Sequence, residues 1–173
     1  MPRHATRIAG LLALLALSAS AQTTFNWIGG GANDSFSTPG NWQGGAVPTG
    51  SSTDNVIFNV YPQQNVTVGS SLNLGNITFN GTRDGFYLNE GAGGVTLTLN
   101  GNVLTTANSI YWGFFNLPVT LAAGNHTFDT QGADLYFVQT IAGAGGIVKT
   151  GNSSLHLDGG NTYTGGTVIT GGF

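Results

Sequence analysis

This 173-residue sequence predicts an all-β fold, a right-handed parallel β-helix. Three observations carry that expectation. Short runs of alternating apolar and polar residues recur about every ten residues, clusters of Gly, Asn, Thr and Ser separate them, and no helical period interrupts the series. An antiparallel β-sandwich, with the Asn-Gly pairs as hairpin turns, is the alternative topology.

The chain opens with Arg3, His4 and Arg7, followed by an apolar run from Ile8 to Leu17. Ser18-Ala19-Ser20-Ala21 then supplies the small-x-small pattern read by signal peptidase, so residues 1–21 are expected to be a signal peptide. The run is about half the 20 or so residues that a membrane span needs. No later segment is apolar enough to cross as a helix.

Without the leader, only Arg83 and Lys149 oppose seven carboxylates, a net charge of −5. Two cations cannot neutralise a phosphate track, which excludes nucleic acid as a partner. With no cysteine, an exported domain must be held by backbone ladders and stacked side chains rather than by disulfides.

Residues 22–54 differ in composition from the rest of the mature chain. Phe25, Trp27, Phe36 and Trp42 stand among many glycines, and a solenoid needs its first rung covered, so this segment is expected to be an N-terminal cap. From residue 55 to residue 173 rungs are expected, with strands at 56–58, 66–68, 77–79, 86–88, 95–99, 119–121, 126–128, 135–138, 147–149, 155–157 and 167–169. Alternation puts one face of each inward. The tetrapeptide Gly-Ala-Gly-Gly at 91–94 recurs at 143–146, each time before an apolar strand, which suggests corners in register. Three strands per rung and about 20–29 residues per rung give about five to seven rungs.

Residues 143–173 are the most regular stretch. Gly145-Gly146-Ile147-Val148-Lys149-Thr150-Gly151 is followed by Leu155-His156-Leu157-Asp158-Gly159 and then Asn161-Thr162-Tyr163-Thr164-Gly165-Gly166-Thr167-Val168-Ile169. This pattern resembles the autotransporter-associated β-strand repeat, or passenger-associated transport repeat, of bacterial surface proteins. The spacing W-x-G-G…N-W…P…D-x-V-x-F over residues 27–58 resembles the segment that often precedes such repeats. The resemblance implies a β-solenoid in a passenger region at the outer membrane or cell surface, with the repeat assisting passage and folding. His156 departs from the pattern, where Thr is customary on the outward face, as does Ser153 in place of Gly. The closing strand is cut short at Phe173, so the chain is expected to be the N-terminal part of a longer passenger, with an exposed last edge that favours self-association.

Chemistry-bearing residues are sparse. His126 and His156 are lone histidines without the short-range pairs of a zinc site. Asp129 and Asp134 flank a Gln131-Gly132 turn, and Arg83 beside Asp84 is the only basic–acidic neighbour pair for an eliminase-type site. No catalytic, cofactor or metal residue is assigned, and no cofactor is expected. Asn161 and Tyr163 are read as corner residues of the repeat, Asn161 bonding backbone and stacking along the ladder.

The expected function is therefore that of a non-enzymatic structural and transport segment of a secreted or surface passenger. A carbohydrate-binding or adhesin module is the alternative, with Trp27, Trp42, Tyr111 and Trp112 as sugar-stacking candidates and the cluster from Tyr111 to Phe115 as the best of them. A polysaccharide-degrading β-helix enzyme is the second alternative. The candidate partners are a surface polysaccharide or further copies of the chain.

Overall fold

In the computed structural model, residues 21–59, 64–81, 85–106 and 112–173 are described. The expected signal peptide up to residue 20, the Arg83–Asp84 pair and Tyr111 lie outside them.

The described residues form sixteen strands, two three-residue 3-10 turns (Pro39–Asn41 and Gln43–Gly45) and no α-helix. The strands build three sheets. Sheet A runs β1 (Thr23–Trp27), β2 (Asp54–Phe58), β5 (Ile77–Phe79), β8 (Val103–Thr105), β11 (Asn125–Thr130), β14 (Gly146–Thr150), β16 (Thr167–Ile169). Sheet B runs β3 (Asn65–Val68), β6 (Phe86–Glu90), β9 (Trp112–Asn116), β12 (Asp134–Phe137), β15 (Leu155–Leu157). Sheet C holds β4 (Leu72–Leu74), β7 (Leu97–Leu99), β10 (Val119–Leu121) and β13 (Ile141–Gly143). The chain visits B, C and A in turn, and every strand ladder is parallel, which makes a three-sided β-solenoid and excludes the antiparallel sandwich.

From β2 onward, successive strands of sheet A are offset by 21, 26, 25, 21 and 20 residues. The offset returns inward side chains to the same column. Phe58, Phe79, Phe86, Phe115, Phe128 and Phe137 are all buried. Phe115 and Phe137 stack with centroids 4.3 Å apart and planes 6° apart, and Phe137 stacks on Phe128 at 5.0 Å.

Each expected strand lies within an observed one, apart from those at β7 and β12, which overrun the observed strand by one or two residues. β4, β8 and β13 escape the sequence pattern, although β5, β10, β15 and β16, of the same three-residue length, are legible in it. From Trp112 onward, the aromatic cluster singled out for sugar stacking is the regular strand β9. Its Gly113 and Phe115 face inward, and its Trp112, Phe114 and Asn116 lie half-buried on the outside. The two Gly-Ala-Gly-Gly segments are not in register. The first turns from sheet B to sheet C, with positive φ at Gly94, whereas the second turns from C to A, with positive φ at Gly143. The same four residues thus make different corners, because the left-handed position falls on the last glycine in one and the first in the other.

Sheet A reaches back to Thr23, since β1 pairs with β2. Phe36 N–H donates to Thr67 O at 2.9 Å, which extends sheet B backwards in the same way. Trp27 and Trp42 meet edge to face at 5.2 Å, and both rings pack toward Phe58. The loop beneath them is pinned by buried polar groups. Asn41 accepts from Gly31 N–H at 2.8 Å and donates to the carbonyls of Asn33 and Ser35, while Asp54 Oδ2 accepts from the N–H groups of Thr49, Gly50 and Ser51.

Asparagine side chains tie the corners from rung to rung. Asn59 donates to Asn26 and Asn80 to Asn59, at 2.9 and 3.1 Å. Asn76 donates to Asn55 at 2.9 Å and accepts from Asn102 N–H at 2.8 Å, and Asn102 accepts from Thr127 N–H. On sheet B, Asn116 donates to Asn89 at 2.9 Å. Asn76→Ala removes the link between two rungs and leaves Asn102 N–H without its acceptor. It should cost about 1–2 kcal/mol in urea denaturation, against near zero for an alanine at the exposed Ser70.

Candidate functional site

Two places concentrate chemistry: the corner of residues 143–173 and the outer face of sheet B. At the first, the residues after β15 continue sheet C. Thr162 and Thr164 N–H groups donate to Ile141 and Gly143 carbonyls at 2.8 and 3.0 Å, as a strand would. Asn161 Oδ1 accepts from Ile141 N–H at 2.8 Å and its amide donates to Leu157 O at 3.2 Å. Tyr163 packs its ring on the core and bonds Thr167 Oγ1 through its hydroxyl. Gly165 lies so close to the rung below that a Cβ there would stand 2.3 Å from Gly146 N. The side chains of Asn161 and Tyr163 are thus already engaged by the ladder.

Lys149 is the residue whose role the sequence pattern hides. It lies inward on β14, in register between Phe128 and Ile169, and is fully buried. Its ammonium donates to the carbonyls of Thr150, Gly151 and Gly171 at 2.9, 3.2 and 2.8 Å, so one side chain closes two successive corners. Desolvation pulls its pKa below the ordinary lysine value, and Asp129 and Asp134 partly restore it. A lysine between an apolar residue and a Thr-Gly turn reads as surface, and only the carbonyl-lined corner explains its burial.

On sheet B, Tyr87, Phe114, Tyr136 and His156 form an outward row in register. Their rings stack at 5.1, 4.4 and 4.0 Å with planes within 10° of parallel. This accounts for His156 in place of Thr, since an imidazole extends the stack. Stacked in this way, the rings use their faces on each other and present edges outward. Trp112 differs. Its indole is turned 78° from Phe114, packs over Gly85, and donates from Nε1 to Tyr87 Oη at 2.8 Å.

The remaining sequence candidates separate. Trp27 and Trp42 are 0% and 1% exposed, so neither can stack on a sugar, a correction to the adhesin reading of those two. His126 is buried, with Nδ1 2.6 Å from Gly101 O and Nε2 2.8 Å from Ala122 O, which leaves no free ring nitrogen for a metal. Asp129 and Asp134 go to separate partners, Gln131 Nε2 and Ser154 N–H. A groove of about 300 Å³ on sheet A is bordered by Asn55, Asn76, Ile57 and Leu104, and its Asn55 and Asn76 amides already serve the rung ladder. Among the described residues no group of three His, Cys, Asp or Glu converges as a metal site, and no helix is long and apolar enough to cross a membrane.

These features define a parallel β-solenoid whose corners are locked by repeated polar contacts. Residues 147–173 match the Passenger-associated-transport-repeat family, so the chain carries such a repeat. A stretch of 60 residues is 45% identical to the Neisserial autotransporter lipoprotein NalP, in two serogroup B strains of Neisseria meningitidis. The likeness covers 33% of this chain and 6% of that protein, so the chain spans only a small part of the relatives it matches. No solved structure matches.

Proposed function

We propose that this chain is a non-enzymatic structural segment of an exported, autotransporter-like passenger, with residues 1–21 as its signal peptide and 22–54 as its N-terminal cap. The repeat assists passage by folding rung upon rung at the outer membrane. The observation that carries this reading is the engagement of Lys149, Asn161 and Tyr163 in contacts along the solenoid. Each rung touches only its neighbours, so an emerging rung can be templated by the one already formed. Side chains that bridge rungs make that step favourable one turn at a time.

The test is export of the full-length protein, epitope-tagged after residue 21, from a host with an outer membrane. Gly165→Val places a side chain against the Gly145–Gly146 backbone, and it should leave less than about a tenth of the tag reachable by protease on intact cells, with periplasmic accumulation. Wild-type surface levels for this variant would overturn the proposal.

A further inference from the structure

Lys149 breaks the pattern of its own column. In register below it stand Val56, Ile77, Val103 and Phe128, and above it Ile169, all apolar. Hydrocarbon fills the other levels of this column, and an ammonium stands at one. What buries that ammonium arrives late. The Thr150 and Gly151 carbonyls belong to the corner of Lys149 itself, whereas Gly171 O, 2.8 Å away, comes from the next one. Gly172 closes over the same atom: its φ is 70°, and a Cβ there would stand 2.6 Å from Nζ. Between Thr150 and Thr167 the chain runs round sheets B and C before it returns to sheet A.

In a solenoid that folds rung upon rung, β14 is the outer strand of sheet A throughout that interval, since β16 is what pairs on its far side. Ile147 N–H and Lys149 C=O, which later bond Gly166 O and Thr170 N–H, are then unpaired. Such an edge accepts any strand with complementary backbone groups, that of a second copy included. An inward lysine changes this. The flexible stem lets the ammonium reach water while the end is open. A foreign strand laid on β14 buries the charge with no carbonyl in the place of Gly171 O, so its desolvation goes uncompensated. The chain's own next rung brings that carbonyl. Discrimination lies in the penalty against the wrong strand.

We propose that Lys149 is a gatekeeper of the unfinished solenoid: its charge rejects strands of other copies at the β14 edge until residues 167–172 of the same chain dock with the Gly171 carbonyl. The role rests on the rung-by-rung folding of the proposed function, and adds to it a residue that protects the growing end.

The test is refolding of the full chain by dilution from urea, at a low and a high protein concentration, with the soluble fraction and its circular dichroism measured. At the low concentration wild type, Lys149→Met, Lys149→Arg and Asn76→Ala should all regain the β signal. At the high one Lys149→Met should yield about a third or less of the wild-type soluble protein. Lys149→Arg keeps the charge, and Asn76→Ala carries a similar loss of stability at another corner, so both should stay near the wild-type yield. A Lys149→Met yield equal to that of wild type or of Asn76→Ala would overturn the proposal, as would Lys149→Arg losing as much as Lys149→Met. Failure of Lys149→Met at the low concentration would overturn it too, since the loss would then be one of fold. No membrane enters this assay, so its outcome is separate from that of Gly165→Val, which decides the export reading.

Discussion

Phe115→Ala should cost about 3–5 kcal/mol, the largest single loss expected in this protein. The ring is 1% exposed, stacks on Phe137 and meets Phe79 edge-on at 5.9 Å. Truncation therefore opens a cavity that touches three rungs at once. The surroundings cannot close it, because each backbone is fixed by the strands above and below. Tyr136→Ala, in the outer stack, removes a similar ring from a half-wetted surface and should cost only about 1 kcal/mol. Denaturant unfolding of the two variants checks the contrast. Equal losses would mean that the inner column is not the structural axis.

Lys149→Met should cost about 2 kcal/mol net, because the Gly151 and Gly171 carbonyls lose the ammonium that satisfies them, while Thr150 O keeps a bond from Thr130 Oγ1. Methionine fills the channel and avoids burying a charge, so the loss is smaller than the sum of three hydrogen bonds. The two forms should also respond differently to pH. The folded pKa of Lys149 lies below its ordinary value of 10.5, with desolvation as the main cause. Between that lowered value and 10.5 the unfolded chain binds the extra proton, so the stability of the native protein rises with pH through the window. The methionine variant lacks this contribution, and its deficit should widen as the pH climbs. The raised pKa of Tyr136 acts the opposite way above about 10, but equally in both forms. Urea midpoints measured across this alkaline range decide the matter. A deficit that stays flat with pH would place the ammonium in water, and one that narrows would mean a folded pKa above the ordinary lysine value.

The solenoid is legible in the sequence where a strand is long enough to alternate. Val56, Val66, Ile77 and Leu135 all face the core as their patterns require. In sheet C, β4 and β13 are hidden because Leu-Asn-Leu and Ile-Ala-Gly run straight into turn glycines, whereas β7 and β10 of the same length are legible. β9 is hidden because Trp-Gly-Phe-Phe is apolar on both faces, and the outer aromatics are explained only by the stack they join. The burial of Trp27 and Trp42 follows from their size. That of Lys149 does not, since it depends on carbonyls brought by Gly171, which is 22 residues further on. Asn161 is legible as a corner residue. Its acceptor role toward Ile141 needs the register of the rung below.

The polar residues of the repeat are structural members of the ladder rather than a loop free to bind, and amide hydrogen exchange on the full chain tests this most directly. Residues 161–166 lie outside the named strands, yet Thr162, Thr164 and Gly165 N–H groups donate to Ile141, Gly143 and Gly145. Their exchange should be slow, and it should accelerate together with that of β13 and β14 in Asn161→Ala. Fast exchange of these three amides beside protected neighbours would contradict it.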